Sequence, residues 1–169
     1  MKKTTISLLI FFSLTPFFFV ESAEYRMGLS MHDVERRIEG GAALSFEKIF
    51  DRPSWWSSYA GRPHLGTHIS LANNTHLLYA GSTWNLFKKG RFRGELGFGA
   101  AIHSGKEKIE NNSLGFGCKV NFREMIAFGY EIKENTILQI SAQHMSNGSL
   151  CDPNQGLTSV GFRLAWKIN

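Results

Sequence analysis

Apolar and polar residues alternate one by one along most of this chain, most regularly at its C-terminus. There Phe162, Leu164, Trp166 and Ile168 interleave with Arg163, Ala165, Lys167 and Asn169. Successive strand side chains point to opposite faces, so a period of two over this length predicts a strand with one apolar face. Arg91 to His103 repeats the pattern, with Phe92, Leu96, Phe98, Ala100 and Ile102 opposite Arg93, Glu95, Gly97, Gly99 and Ala101. The longest predicted strand runs from Leu114 to Ile132 and places Leu114, Phe116, Cys118, Val120, Phe122, Ile126, Phe128 and Tyr130 on one face. Leu138, Ile140 and Ala142 then oppose Gln139, Ser141 and Gln143. Upstream, shorter alternating runs cover Tyr25 to Met31, Ala42 to Phe46, Leu65 to Leu71 and Leu77 to Phe87. No helical period emerges, and the charged stretch His32 to Glu39 reads as a loop.

The count comes to about eight strands, several of them long, within the range of small membrane barrels. Short turns (Lys88-Lys89-Gly90, Lys133-Glu134-Asn135) alternate with longer polar loops (Gly105 to Asn112, Asn147 to Gln155). That alternation along an antiparallel meander predicts an all-β, eight-stranded antiparallel transmembrane barrel. The face opposite the apolar one mixes Arg, Lys, Glu and Asn with many glycines, which suits a narrow polar interior. Trp84, Trp166, Tyr130 and the pair Trp55-Trp56 are candidates for interfacial girdles. The competing class is a soluble barrel or sandwich that turns its apolar face inward.

The first residues agree with export. Met1-Lys2-Lys3 precedes an apolar run from Ile6 to Val20, which is followed by Ser22 and Ala23. A positive start, a short apolar core and a small-residue cleavage site describe a signal peptide. Residues 1–23 are therefore read as the signal peptide and 24–169 as a single barrel domain. In an exported protein Cys118 and Cys151 can pair or stay free. Formal net charge is +5, suited to an anionic lipid surface or to ordinary solvation. No nucleic-acid module is present, so nucleic acid is set aside as a partner. Oligomeric state, a homodimer included, is not legible.

Candidate chemistry is concentrated in Gln143-His144-Met145-Ser146-Asn147-Gly148. His144 and Ser146 share a strand face, with Cα atoms roughly 6.6 Å apart at about 3.3 Å rise per residue. A base beside a hydroxyl is the first requirement for an activated serine. Both share the parity of Leu138 and Ile140, the face that meets lipid in a membrane barrel. Polar groups there cost free energy unless paired, whereas an enzyme acting on a membrane lipid needs its nucleophile on that side.

His144-x-Ser146-Asn147-Gly148, then Asp152-Pro153-Asn154-x-Gly156-Leu157 and an alternating terminal strand, resembles the PagL-type lipid A 3-O-deacylases of the outer membrane. Tyr25 to Leu29, Ser54-Trp55-Trp56 with Gly61-Arg62, and Glu95-x-Gly97-x-Gly99 also fit, so the resemblance covers most of the chain after the signal peptide. It implies an eight-stranded barrel in the Gram-negative outer membrane, surrounded by its lipids. The implied activity is hydrolysis of the ester that holds the 3-position hydroxyacyl chain on lipid A of lipopolysaccharide, with no cofactor. Carried over residue by residue, His144 matches the general base, Ser146 the nucleophile and Asn147 an oxyanion-hole residue. One position departs: where the family has its triad acid, this chain has Thr158. Threonine cannot carry the charge that orients and stabilises a catalytic histidine. Either activity falls, another carboxylate serves, or the barrel is catalytically silent. A soluble exported lipid-binding barrel is a further alternative.

The turn at Glu134 suggests a replacement. Pairing Ile132 with Thr136 would set Glu124 opposite His144, within the roughly 4.5–5.5 Å Cβ separation of directly opposed residues. Glu124 is therefore the hypothetical acid. His64 and His68 lie about 13 Å apart at 3.3 Å per residue, too far to share a metal ion, and no metal is expected. Arg36, Arg37, Lys106 and Lys108 fall in outer loops, where lipid phosphates or solvent would serve them equally.

Overall fold

The computed structural model describes residues 23–57 and 59–168. The predicted signal peptide lies outside the described residues, apart from Ala23, which opens the first strand. Eight strands follow: β1 (Ala23–His32), β2 (Gly41–Ile49), β3 (Arg62–Ser70), β4 (Leu77–Lys89), β5 (Phe92–His103), β6 (Val120–Lys133), β7 (Thr136–Ser146) and β8 (Leu157–Ile168). Each pairs antiparallel with the next, and β1 pairs with β8, closing the barrel. A closed barrel leaves no backbone N–H or C=O at an open edge, which is what hydrocarbon surroundings require.

The alternation is realised with its apolar face outward. Met27, Leu29, Leu65, Ile69, Phe92, Phe98, Phe128, Leu138, Ile140 and Phe162 are exposed on the outside of the barrel. The inside is filled with buried charge. Arg26 donates to Glu24 (2.6 Å), Glu47 (3.3 Å) and Glu95 (3.1 Å). Arg163 also donates to Glu47 (3.4 Å), and Gln139 Nε2 donates to Glu95 (2.8 Å). Buried ions persist only when paired and hydrogen-bonded, and here Glu24, Glu47 and Glu95 each meet at least one guanidinium. A soluble barrel with an apolar core is thus ruled out as the architecture.

Tyr25, Trp166, Phe92 and Tyr130 gather towards the end that holds the 90–91 and 134–135 turns, with Tyr25 stacked on Trp166 and Phe92 set edge-on to Tyr130. Trp84 donates its indole N–H to Tyr59 O, tying β4 to the 50–61 connection. Longer loops of outer-membrane barrels lie outside, so the 104–119 and 147–156 loops mark the outer end.

One predicted strand is too long. Strand β6 begins at Val120, and residues 114–119 leave the sheet. Leu114 and Phe116 do not face lipid; they turn into the outer mouth and pack with Leu77, Tyr79, Ala101, Met145 and Leu157. Local alternation cannot distinguish an apolar residue facing lipid from one plugging a barrel. The turn is made at Gly117, where φ is +69°, a conformation glycine adopts without penalty. Beside it a disulfide joins Cys118 to Cys151, with Cα atoms 5.5 Å apart, fastening this loop to the one after β7.

Glu39 fastens the loops from the other side. Its carboxylate accepts the Thr75 N–H (2.9 Å) and the Leu114 N–H (2.8 Å), uniting three outer loops. Burial alone would raise its pKa. Its neighbour His32, with Nε2 3.8 Å away, and the hydrogen bonds from these backbone N–H groups outweigh that and hold it at about 2. A depressed carboxylate stabilises the fold above its unfolded value, here 4.5, and the contribution disappears as pH falls towards about 2. Glu39→Gln should therefore cost about 1–3 kcal/mol at pH 7, the typical penalty for leaving a buried donor unsatisfied. Its unfolding midpoint in detergent should converge with that of the wild type as pH drops through this window; a gap independent of pH would refute the assignment.

Candidate active site

His144 and Ser146 occupy the last turn of pleat in β7, both half-buried and both on the outer, lipid-facing side. Met145, between them, is buried inside the barrel. Across the β6–β7 pair the Cα partner of His144 is Glu124, and that of Ser146 is Phe122. Across the β7–β8 pair His144 faces Thr158. The expected Glu124–His144 opposition is present, although the turn itself has a bulge between Glu131 and Lys133, so Ile132 and Thr136 are not partners.

Opposition does not make a bond in this case. Among the described residues Glu124 has no hydrogen-bond or ion-pair partner. The contact to His144 Nδ1 comes instead from Thr158 Oγ1, at 2.8 Å. The same hydroxyl donates to Glu35 Oε2 at 2.7 Å. Glu35 belongs to the β1–β2 loop, and its neighbours are pinned to the site. Val34 N–H donates to Thr158 O (2.9 Å), and Arg36 Nε donates to Gln155 O (2.7 Å). Nothing in the local pattern around Glu35 could have pointed to it, because it reaches His144 only through barrel closure.

Asn147, expected at the oxyanion, lies on the inner side. With Ser146 pointing out, the next residue points in, and Asn147 is buried. Its Nδ2 donates to the carbonyls of Phe116 (2.8 Å), Cys151 (3.0 Å) and Pro153 (3.0 Å), and its backbone N–H donates to Asn154 Oδ1 (2.9 Å). The carboxamide is a strut that holds the β7–β8 loop against the β5–β6 loop. Gln155 adds to it, accepting the Gly115 N–H on Oε1 at 2.7 Å.

Behind the imidazole stands Gly156, with φ at +50°. A Cβ there would lie 2.8 Å from His144 Cε1 and 3.1 Å from Nε2. The ring is thus held by Thr158 on Nδ1 and packs with its Cε1–Nε2 edge against the bare backbone of Gly156. Ser146 Oγ has no partner among the described residues. Catalytic hydrogen bonds in unliganded enzymes are often long and tighten on binding, so this geometry is compatible with a base–nucleophile pair.

Residues 21–167 match the family model described as lipid A 3-O-deacylase (PagL). The chain belongs to this family. No curated protein matches the sequence at a significant level. Among solved structures, the crystal structure of the outer membrane enzyme PagL aligns with a TM-score of 0.63 at 20% identity, covering 86% of this chain and 99% of that one. Neisserial surface protein A aligns with a TM-score of 0.61 at 8% identity, over 86% of this chain and 97% of its own. A de novo designed transmembrane β-barrel gives 0.57 at 9% identity, over 88% and 96%. At such identities these likenesses establish the fold, which is that of an outer-membrane barrel. The family match, by contrast, spans the strands and the His144–Gly156 region together.

The position of Gly156 generates a direct test. Gly156→Ala must push the imidazole or strain the backbone, and a displacement of about 1 Å can cost on the order of 100-fold in rate. Deacylation by Gly156→Ala should fall by that order while the heat-resistant folded barrel persists on electrophoresis. A rate within twofold of wild type would show that the ring is not held there.

Proposed function

We propose that this protein is a serine-type lipid A 3-O-deacylase. The observation that carries the reading is the placement of His144 and Ser146 together on the lipid-facing side of β7 at its outer end, with Nδ1 of the histidine already engaged. A barrel needs no polar pair there for stability, since unpaired polar groups against lipid are unfavourable. A lipid hydrolase needs them there, because its substrate never leaves the membrane.

In this mechanism His144 Nε2 takes the proton from Ser146 Oγ as the oxygen attacks the carbonyl carbon of the 3-position ester. The tetrahedral intermediate collapses, and the proton on Nε2 passes to the departing sugar oxygen. Water, deprotonated by the same nitrogen, then attacks the acyl-serine, and that proton passes to Ser146 Oγ as the acyl–oxygen bond breaks and the 3-hydroxy fatty acid leaves. The Asn147 N–H is held by Asn154 Oδ1, so the next backbone donors along the chain are those of the turn at Gly148 and Ser149, and these N–H groups take the oxyanion role that the family resemblance implies for Asn147. Asn147 acts instead by fixing that turn. Donors of this kind are worth about 10²–10³ in kcat.

The competing reading, a catalytically silent barrel, is favoured by Thr158 in the place of the family acid. Mass spectrometry of lipid A from a Gram-negative host separates the two. Expression of the wild type should remove one hydroxyacyl chain from lipid A, and Ser146→Ala should leave lipid A intact. Unchanged lipid A with the wild-type barrel folded in the outer membrane would defeat the enzyme reading.

A further inference from the structure

We infer that Glu35, on the loop between β1 and β2, is the positioning acid of this site and acts on His144 through the hydroxyl of Thr158. The inference rests on the serine-hydrolase reading and completes it. Thr158 has one hydroxyl proton and gives it to Glu35 Oε2 at 2.7 Å. Its oxygen can then only accept on the other side, so the proton shared with His144 at 2.8 Å belongs to Nδ1. That leaves Nε2 unprotonated, which is the tautomer a general base for Ser146 requires.

Without Glu35 the hydroxyl is free to rotate and donate to Nδ1. The histidine would then carry its proton on Nε2 and could not accept one from Ser146. The carboxylate also stands two hydrogen bonds from the imidazolium that forms when Ser146 is deprotonated, and its charge favours that cation. No proton leaves Nδ1 during the cycle. The serine proton passes to Nε2 and on to the leaving oxygen, so Thr158 and Glu35 orient and stabilise without being consumed.

Glu35 is exposed at the outer rim, but it is not free to wander. Residues on both sides are tied to the same structure that carries Thr158 and Gly156, through Val34 N–H to Thr158 O and Arg36 Nε to Gln155 O. Asp33 braces the loop from within, accepting the N–H groups of Arg36, Ile38 and Glu39. Among the described residues, Glu124 faces His144 across the β6–β7 pair, and Arg36, on the same loop as Glu35, is tied to Gln155 beside Gly156. Both are unaltered in the variants below, so differences among these report on Glu35.

The test is steady-state deacylation of lipid A in detergent micelles across a pH series, with Ser146→Ala as reference. Glu35→Leu removes both the acceptor and the charge. It should lower kcat on the order of 100-fold with KM within about twofold, inside the 10²–10⁴ range of general-base catalysis. Glu35→Gln keeps an acceptor for the Thr158 hydroxyl and removes only the charge. It should lower kcat by roughly tenfold and move the acidic limb of kcat/KM to lower pH, because a histidine that loses a nearby anion binds its proton less tightly. Thr158→Val should be as damaging as Glu35→Leu, and the double variant no worse than either, as for residues that act as one unit. Thr158→Glu in the Glu35→Leu background should recover activity by placing a carboxylate directly on Nδ1. A loop effect alone would neither move the pH limb nor be rescued in this way. Wild-type rate and pH limb in both Glu35 variants, with Ser146→Ala inactive, would overturn the role of Glu35 alone. Full activity in Ser146→Ala would overturn the serine reading, and this inference with it.

Discussion

The antiparallel pairing of Ala23–Met31 with Val160–Ile168 closes the sheet, and closure is what the bilayer demands of any spanning strand structure. Once the first and last strands are paired, every other feature has its place. The apolar face must turn outward, and the polar face must satisfy itself inside, which it does through the Arg26, Glu47 and Glu95 network. The β1–β2 loop must also stand beside the start of β8. That last consequence has chemical weight, because it brings Glu35 to Thr158 across 123 residues of sequence.

The exceptions to this pattern are where the proposed chemistry lies. Lipid-facing positions on β7 follow the rule at Leu138 and Ile140 and break it at His144 and Ser146. Around the two polar residues the outer loops are over-determined. A disulfide, the Asn147 carboxamide and the Glu39 carboxylate each bind separate segments together. Rigid support of this kind is what a reacting pair requires, since a misplacement of about 1 Å can erase most of a rate enhancement. Soft packing against mobile lipid could not provide it, so the inward-facing side of the same strand end does.

Periodicity exposed what is local. The parity of His144 and Ser146, the outward turn of the apolar face and the opposition of Glu124 to His144 all follow from counting residues along strands and across one tight turn. It failed where an apolar residue had a second option: Leu114 and Phe116 alternate like strand residues yet plug the barrel mouth. It also could not foresee that Asn147 is spent on three carbonyls, since those carbonyls come from two loops with no regular pattern. Glu124 was the carboxylate reachable by strand arithmetic. Glu35 needed the closed barrel, and no feature of His32 to Glu39 marks one of its charged residues over another. The resemblance to the deacylase family marks Thr158 as the position of the family acid and says nothing of Glu35.

The central claim is that Ser146 is a nucleophile activated by His144 on the lipid-facing surface. Covalent labelling tests it without relying on lipid turnover. The folded barrel in micelles should react with a long-chain alkyl fluorophosphonate, and peptide mass spectrometry should place the adduct on Ser146, with labelling lost in His144→Ala. A preparation that deacylates lipid A but carries the label elsewhere, or carries none, would contradict the account.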